Sequence, residues 1–237
     1  VIVNSIFRLT QSHLGQALLF GWTFSGFVEG IAGFGVPVVM IAPLMVVLKF
    51  PPIMAATIVL VGHSWAVTFG AMGSAYYAIQ LTTGILGSSI GPIMATLFAL
   101  PILATGLCVA YIVGGWQSLK KGGMPILITG TVMALCLWLI SILGALQVAS
   151  TVTGLVGCAM LWVLSRTPLL RSEPDLDASR TYFPVNRFGS NMAFIPYYVL
   201  ISLAIISQIS PIKHATEHIY WGFSFPGMKT SLGYVVA

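Results

Sequence analysis

Residues 26–37 read Gly26-Phe27-Val28-Glu29-Gly30-Ile31-Ala32-Gly33-Phe34-Gly35-Val36-Pro37, and this stretch decides how the chain folds. It places one carboxylate, Glu29, inside an apolar region that runs from about residue 14 to residue 48. Gly30, Gly33, Gly35 and Pro37 then follow closely enough to interrupt a helix, because glycine is costly in a helix interior and proline has no amide hydrogen. The two flanking halves, about 14–28 and 36–48, would each cover roughly 20 Å at the α-helical rise. A membrane hydrocarbon layer is ~30 Å thick. The sequence therefore predicts a broken or re-entrant helix pair near the N-terminus, with one tilted span as the open alternative.

The surrounding chain supplies the context. Of 237 residues, 57% are hydrophobic and only 6% are charged, and the mean hydropathy is +0.98. A soluble domain carries about 25% charged residues, so a soluble enzyme, a nucleic-acid binder and a disordered tail are all excluded. Residues 9–28, 30–48, 50–119, 122–165 and 188–212 contain no Asp, Glu, Lys or Arg. Those intervals accommodate helices of about 20 residues, the length that crosses a bilayer. Spans are expected at about 53–72, 91–115, 124–145, 148–165 and 193–210, with a small and polar stretch from Gly73 to Gly91. The fold class is an all-α, polytopic helical integral membrane protein.

Basic residues set the orientation. Lys49, the pair Lys120-Lys121, and Arg166, Arg171, Arg180 and Arg187 are each separated from the next group by two expected spans. The positive-inside rule then puts them on the cytoplasmic side together, with 166–192 as a solvated loop. A re-entrant 14–48 would add Arg8 to that side. The chain reads as a single transmembrane domain of about six or seven segments in a multi-pass membrane protein. It opens without Met and ends within the apolar run Tyr234-Val235-Val236, as expected for a piece of a longer protein. Cys108, Cys136 and Cys158 lie far apart in apolar runs, a pattern of fillers rather than of a metal or disulfide site.

Interrupted backbone at membrane depth is tolerated only where protein or a water-filled cavity satisfies it. Secondary transporters use such breaks to aim half-helix N-termini at anionic substrates. Gly30, Gly33, Gly35 and Pro37 are candidates for that role. The competing reading is close helix packing, since Gly26 and Gly30 also form a GxxxG pair. Glu29 is the sole acid in an apolar segment, where a charged carboxylate costs about 2.5–3.5 kcal/mol on insertion scales. It is expected either to carry a coupled proton or line the site, or to act as a fixed acceptor for the Gly30 to Gly33 amides. A second constellation, Gly62-His63-Ser64-Trp65-Ala66-Val67-Thr68, offers an imidazole and two hydroxyls. His63, Ser64 and Thr68 join the candidates, and a structural histidine is the alternative, because imidazole both donates and accepts.

Two enzyme patterns are weaker. Gly62-His63-Ser64 lacks the closing glycine and the strand of a nucleophile elbow. His214, Glu217 and His218 fit an H-x-x-E-H zinc motif, but no acid follows to complete the ligands. No cofactor and no metal are expected.

The GFVEGIAGFGVP segment from Gly26 to Pro37 resembles the G-F-x-E-G-x-A-G-F-G-x-P signature of the L-lactate permease family. FPPIMAA (Phe50 to Ala56) and VTFGAMG (Val67 to Gly73) continue the resemblance in order and spacing, so that it covers about residues 20–75. It implies a secondary transporter, not an enzyme, that moves L-lactate, and in some members glycolate, together with a proton. By the same resemblance Glu29, Gly30, Gly33, Gly35 and Pro37 lie at or near the substrate site. Family members are longer, so the missing remainder of the chain is expected to complete that site. The partners implied are a small carboxylate, a proton and the lipid bilayer, with no nucleic acid. One departure stands out: members typically read Asn-Thr where this chain has His63-Ser64, followed by Trp65, an ionisable ring and a bulky indole that would reshape a lactate pocket. The alternatives carried beside proton symport are a sodium-coupled organic-anion carrier and a membrane zinc hydrolase built on His214, Glu217 and His218.

Overall fold

The computed structural model describes residues 12–33, 35–84 and 87–167, together with strand residues 228–229 and 235–236. The span expected at 193–210, most of the 166–192 loop, Arg8, and the zinc pattern at His214, Glu217 and His218 lie outside the described residues. By its contacts the chain divides into two units, Val1–Pro184 and Val185–Ala237. In the second, the short strands Met228–Lys229 (β1) and Val235–Val236 (β2) pair antiparallel.

The described residues of the first unit are mainly helical. Helix α1 covers 13–32 in three parts: His13–Gln16, the π-helical turns Ala17–Phe24, and Ser25–Ala32. Ser12 caps it, its hydroxyl accepting from the Gly15 amide at 3.0 Å. Helix α2 is Val36–Val47 and α3 is Pro52–Gly62, each opened by a proline in its first turn, where no amide is missed. Two 3-10 turns follow, Ser64–Phe69 and Ala71–Gly73, and then α4, Ser74–Thr83. The helical run Gly87–Ile142 has non-helical backbone at Gly114 and Gly115, which divides it into α5 (87–113) and α6 (116–142). Helix α7, Ala149–Ser165, completes the unit.

A straight helix would hold residues 106 and 126 about 30 Å apart. Instead, a Cβ placed on Gly106 would lie 2.9 Å from Ile126 Cγ2, and one on Gly130 would lie 2.5 Å from Leu103 Cδ2. Thus α5 and α6 are an antiparallel hairpin that turns at Gly114-Gly115. Gly115 has φ +59° and ψ −145°, a region essentially closed to residues with a Cβ. Nothing lies within 4 Å of a Cβ added there, so Gly115→Ala carries backbone strain alone. The substitution is expected to cost about 1–3 kcal/mol, seen as a lower midpoint for thermal unfolding of the purified protein.

The surface is inverted relative to a soluble bundle. Ile93, Leu97, Leu100, Leu139 and Leu143 are exposed, whereas Thr23, Ser25, Thr129, Ser150 and Thr153 are buried. Apolar faces outward and hydroxyls inward suit helices whose solvent is lipid. The runs Ser89–Ile142 and Leu146–Ser165 are long and apolar enough to cross a membrane, and Pro52–Gly62 with Ser64–Thr83, bent by 45°, passes the same test as a pair.

Lys49, Lys121 and Arg166 gather at one end of the first unit. The His13 ring lies 4.7 Å from that of Phe50, and Leu14 reaches Gly122, so Lys49 and Lys121 are on the same side. Gly30 meets Thr151, Phe27 meets Gly154 and Thr23 meets Gly157, so α7 runs antiparallel to α1 and delivers Arg166 there too. Arg166 stacks on Trp162 at 4.0 Å and Lys120 lies 6.0 Å from the Trp116 ring, an interfacial pairing of aromatic and cation.

Several boundaries differ from the sequence expectation. Gly26 and Gly30 remain inside α1, because each lies against a neighbour too close for a Cβ; the helix breaks only at Gly33–Gly35. The expected span 53–72 is interrupted from His63 onward, and α4 occupies part of the small and polar stretch Gly73 to Gly91. Left-handed Ala71, Met72 and Gly73 (φ 45°, 57° and 80°) explain why α3 and α4 cannot join.

Candidate functional site

The two interruptions meet. Gly33 adopts φ +64°, and a Cβ on it would come 2.5 Å from Ala71 Cβ. That contact sets the end of α1 directly on the left-handed run at 71–73. Non-glycine residues with positive φ cost of order 1–3 kcal/mol and persist where surrounding packing enforces them. Ala71 and Met72 are two such residues in succession.

Glu29 lies one turn before this junction and is 2% exposed. Its backbone carbonyl accepts from the Gly33 amide at 2.9 Å, which closes α1. Its side chain reaches the second break. A Cβ on Gly70 would fall 2.9 Å from Glu29 Oε1, so glycine at position 70 is what allows the carboxylate this close to the backbone. Because Gly30 meets Thr151 near the start of α7, Glu29 sits toward the end of the bundle opposite the cations.

His63 faces Glu29. It caps the C-terminus of α3, is 7% exposed, and its Nε2 is 4.0 Å from Glu29 Oε2. On the other side of the ring, Nδ1 lies 2.6 Å from the Val59 carbonyl. A carbonyl only accepts, so Nδ1 must carry the hydrogen and Nε2 is the atom presented to the carboxylate. At 4.0 Å the pair is within electrostatic reach but beyond the 2.7–3.2 Å of a direct hydrogen bond.

The other candidates are placed as follows. Gly30 is a packing glycine, its would-be Cβ 2.5 Å from the Thr151 amide nitrogen. Gly35 is left-handed (φ +85°) and caps α2, with open space around it, and Pro37 is buried in the first turn of α2. At that helix start the Val36 amide donates to Gly33 and the Val38 amide to Gly35, and Pro37 has none. The amides expected to receive an anion at α2 are therefore largely engaged. Ser64 is exposed and donates back to the Val61 carbonyl at 2.7 Å, away from Glu29. Thr68 is half-buried on the same 3-10 turn.

Residues outside the expected set hold the site in place. Trp65 is fully buried, its ring against Gly26 and its Nε1 donating to the Trp22 carbonyl at 3.3 Å. The indole fills the space that Gly26 leaves. The Ser150 hydroxyl donates to the Ala66 carbonyl at 3.0 Å, tying α7 to the interrupted segment. The one sequence signal for this was Gly70-Ala71-Met72-Gly73, a glycine-bounded run inside an apolar span. Among the described residues no cluster of His, Cys, Asp and Glu is arranged to hold a metal.

The family model that matches is that of L-lactate permease, over residues 1–230. The chain is 28% identical to the L-lactate permease of Halalkalibacterium halodurans over 98% of its own length and 46% of that protein's. It is 29% identical to the L-lactate permease of Bacillus subtilis, covering 94% of this chain and 42% of the relative. A shorter match, 30% identical over 55% of this chain and 23% of the relative, is to the glycolate permease GlcA of Escherichia coli. The chain thus spans somewhat under half the length of these relatives. No solved structure matches.

Proposed function

We propose that this chain, which belongs to the L-lactate permease family, forms part of a carrier that moves a small 2-hydroxy monocarboxylate together with a proton. The relatives named L-lactate permease and glycolate permease supply the substrate class, two anions that share a carboxylate and an adjacent hydroxyl. The observation that carries the coupling is the position of Glu29: a buried acid, facing an imidazole, where two interrupted segments touch. Discontinuous helices of this kind are where secondary transporters bind substrate and coupling ion.

Proton coupling suits an anionic cargo. An anion moving alone against the potential costs about 2.3 kcal/mol per 100 mV, and one accompanying proton removes that cost. The substrate and coupling residues of this reading are Glu29 and His63, held by Gly33 and Gly70, with Thr68 at the margin. Gly35, Pro37 and Ser64 shape the breaks, and Gly30 lets α1 pack closely on α7.

The full-length protein in proteoliposomes tests it. L-lactate uptake driven by a pH gradient, with sodium absent and with glycolate competing, is the expected result. Strict dependence on sodium with no response to the pH gradient would replace it with a sodium-coupled anion carrier.

A further inference from the structure

We propose that His63 Nε2 is the seat of the substrate carboxylate, and that Glu29 takes up the coupled proton when that carboxylate displaces it as the imidazolium's partner. This rests on the carrier reading above and adds to it the identity of the two seats.

The geometry fixes the roles. The Val59 carbonyl engages Nδ1–H, so the imidazole has one nitrogen free to change partners, and it points at Glu29. The separation of 4.0 Å leaves that nitrogen without a direct hydrogen bond to the carboxylate, so an arriving oxygen competes with a long-range partner rather than a locked one. Glu29 is held on its far side by the Gly70 backbone, and His63 by the end of α3. The elements packed against residues 25–32 contribute, among the described residues, one further titratable side chain. That is Cys158 on α7, placed against Thr23 at 3.3 Å rather than against the pair.

Proton accounting gives the coupling. In the proposed cycle the empty site holds one proton between the two groups and is neutral. A substrate carboxylate that accepts Nε2–H leaves two carboxylates beside one imidazolium, with a net charge of minus one in a buried site. Like charges at such a distance cannot both stay ionised at low dielectric. Glu29 then takes a proton from the aqueous phase to which the site is open, its O–H bond forms, and the loaded site is neutral. On the opposite side the proton returns to water, Glu29 pairs with His63 again, and the anion leaves. One anion and one proton have moved.

The test is proton uptake on binding. The full-length protein, purified in weakly buffered detergent at neutral pH, is mixed with L-lactate while a pH indicator and a calorimeter record protons and affinity. Wild type is expected to take up about one proton per L-lactate bound. His63→Gln is expected to weaken L-lactate binding at least about tenfold, some 1.4 kcal/mol, and to abolish the uptake. Glu29→Gln is expected to lose the proton uptake. His63→Asn serves as a second replacement where His63→Gln does not give monodisperse protein. Histidine NMR of wild type adds a readout that needs no variant: L-lactate should shift one imidazole's Nε2 signal and leave its Nδ1 signal in place. Wild-type affinity and undiminished proton uptake in either His63 variant, or no Nε2 shift, overturns this proposal while the carrier reading stands. Wild type that binds neither L-lactate nor glycolate removes the carrier reading itself.

Discussion

Glu29→Gln should leave L-lactate exchange intact and abolish its accumulation. Glutamine has the volume of glutamate, so the space against Gly70 stays filled and the junction of the two breaks is undisturbed. What the amide lacks is a proton that can be bound and released. Under a pH gradient of one unit, a carrier moving one proton per anion concentrates its substrate about tenfold, since one unit is worth about 1.36 kcal/mol. Wild-type proteoliposomes should approach that ratio, and the variant should stop near equality. Labelled L-lactate trapped on one side should still exchange for unlabelled L-lactate on the other. Undiminished accumulation in the variant would show that the coupled proton rides elsewhere.

The second large effect concerns folding rather than transport. A Cβ on Gly62 would be 2.6 Å from the Gly21 carbonyl carbon and 3.1 Å from Trp22 Cα, with the Gly21 oxygen closer still. All three are backbone atoms, so no rotamer change relieves the overlap. Gly62→Ala must push α3 away from α1, and that separates Trp65 Nε1 from the Trp22 carbonyl. Overpacking against yielding side chains typically costs 1–3 kcal/mol; against a rigid backbone the expected cost is above ~3 kcal/mol, enough to deplete folded protein. Gly123→Ala is the matched control. It meets nothing within 4 Å and gains up to about 1 kcal/mol of helix propensity. Size-exclusion profiles after stepwise heating should show Gly62→Ala lost first and Gly123→Ala retained. Equal survival of the two would mean that α1 and α3 do not approach this closely.

Much of this was legible in the residues. Hydropathy and sparse charge required a helical membrane protein, because few polar side chains are available to face water. The spacing of Lys49, Lys120-Lys121 and Arg166 anticipated that these groups share an end, and the pairing of His13 with Phe50 and of α1 with α7 agrees. The glycine-rich stretch announced a break, and Glu29 announced a buried acid. The break was expected too early and the packing role of Gly30 left open, because a glycine chosen for close approach looks the same in sequence as one chosen for φ.

The chain alone therefore determined the helical membrane class and the chemistry available, since these follow from composition and local spacing. Tertiary structure decided which groups meet. It turned 87–142 back on itself at Gly114-Gly115, interrupted the span after His63, and set Gly33 on Ala71. It also brought Glu29 to Gly70 and His63, which are 41 and 34 positions away in the chain. Such contacts depend on how helices cross, and crossing is fixed by the absence of a Cβ at points such as Gly21, Gly26 and Gly62. The sequence supplies those glycines without stating what each one touches.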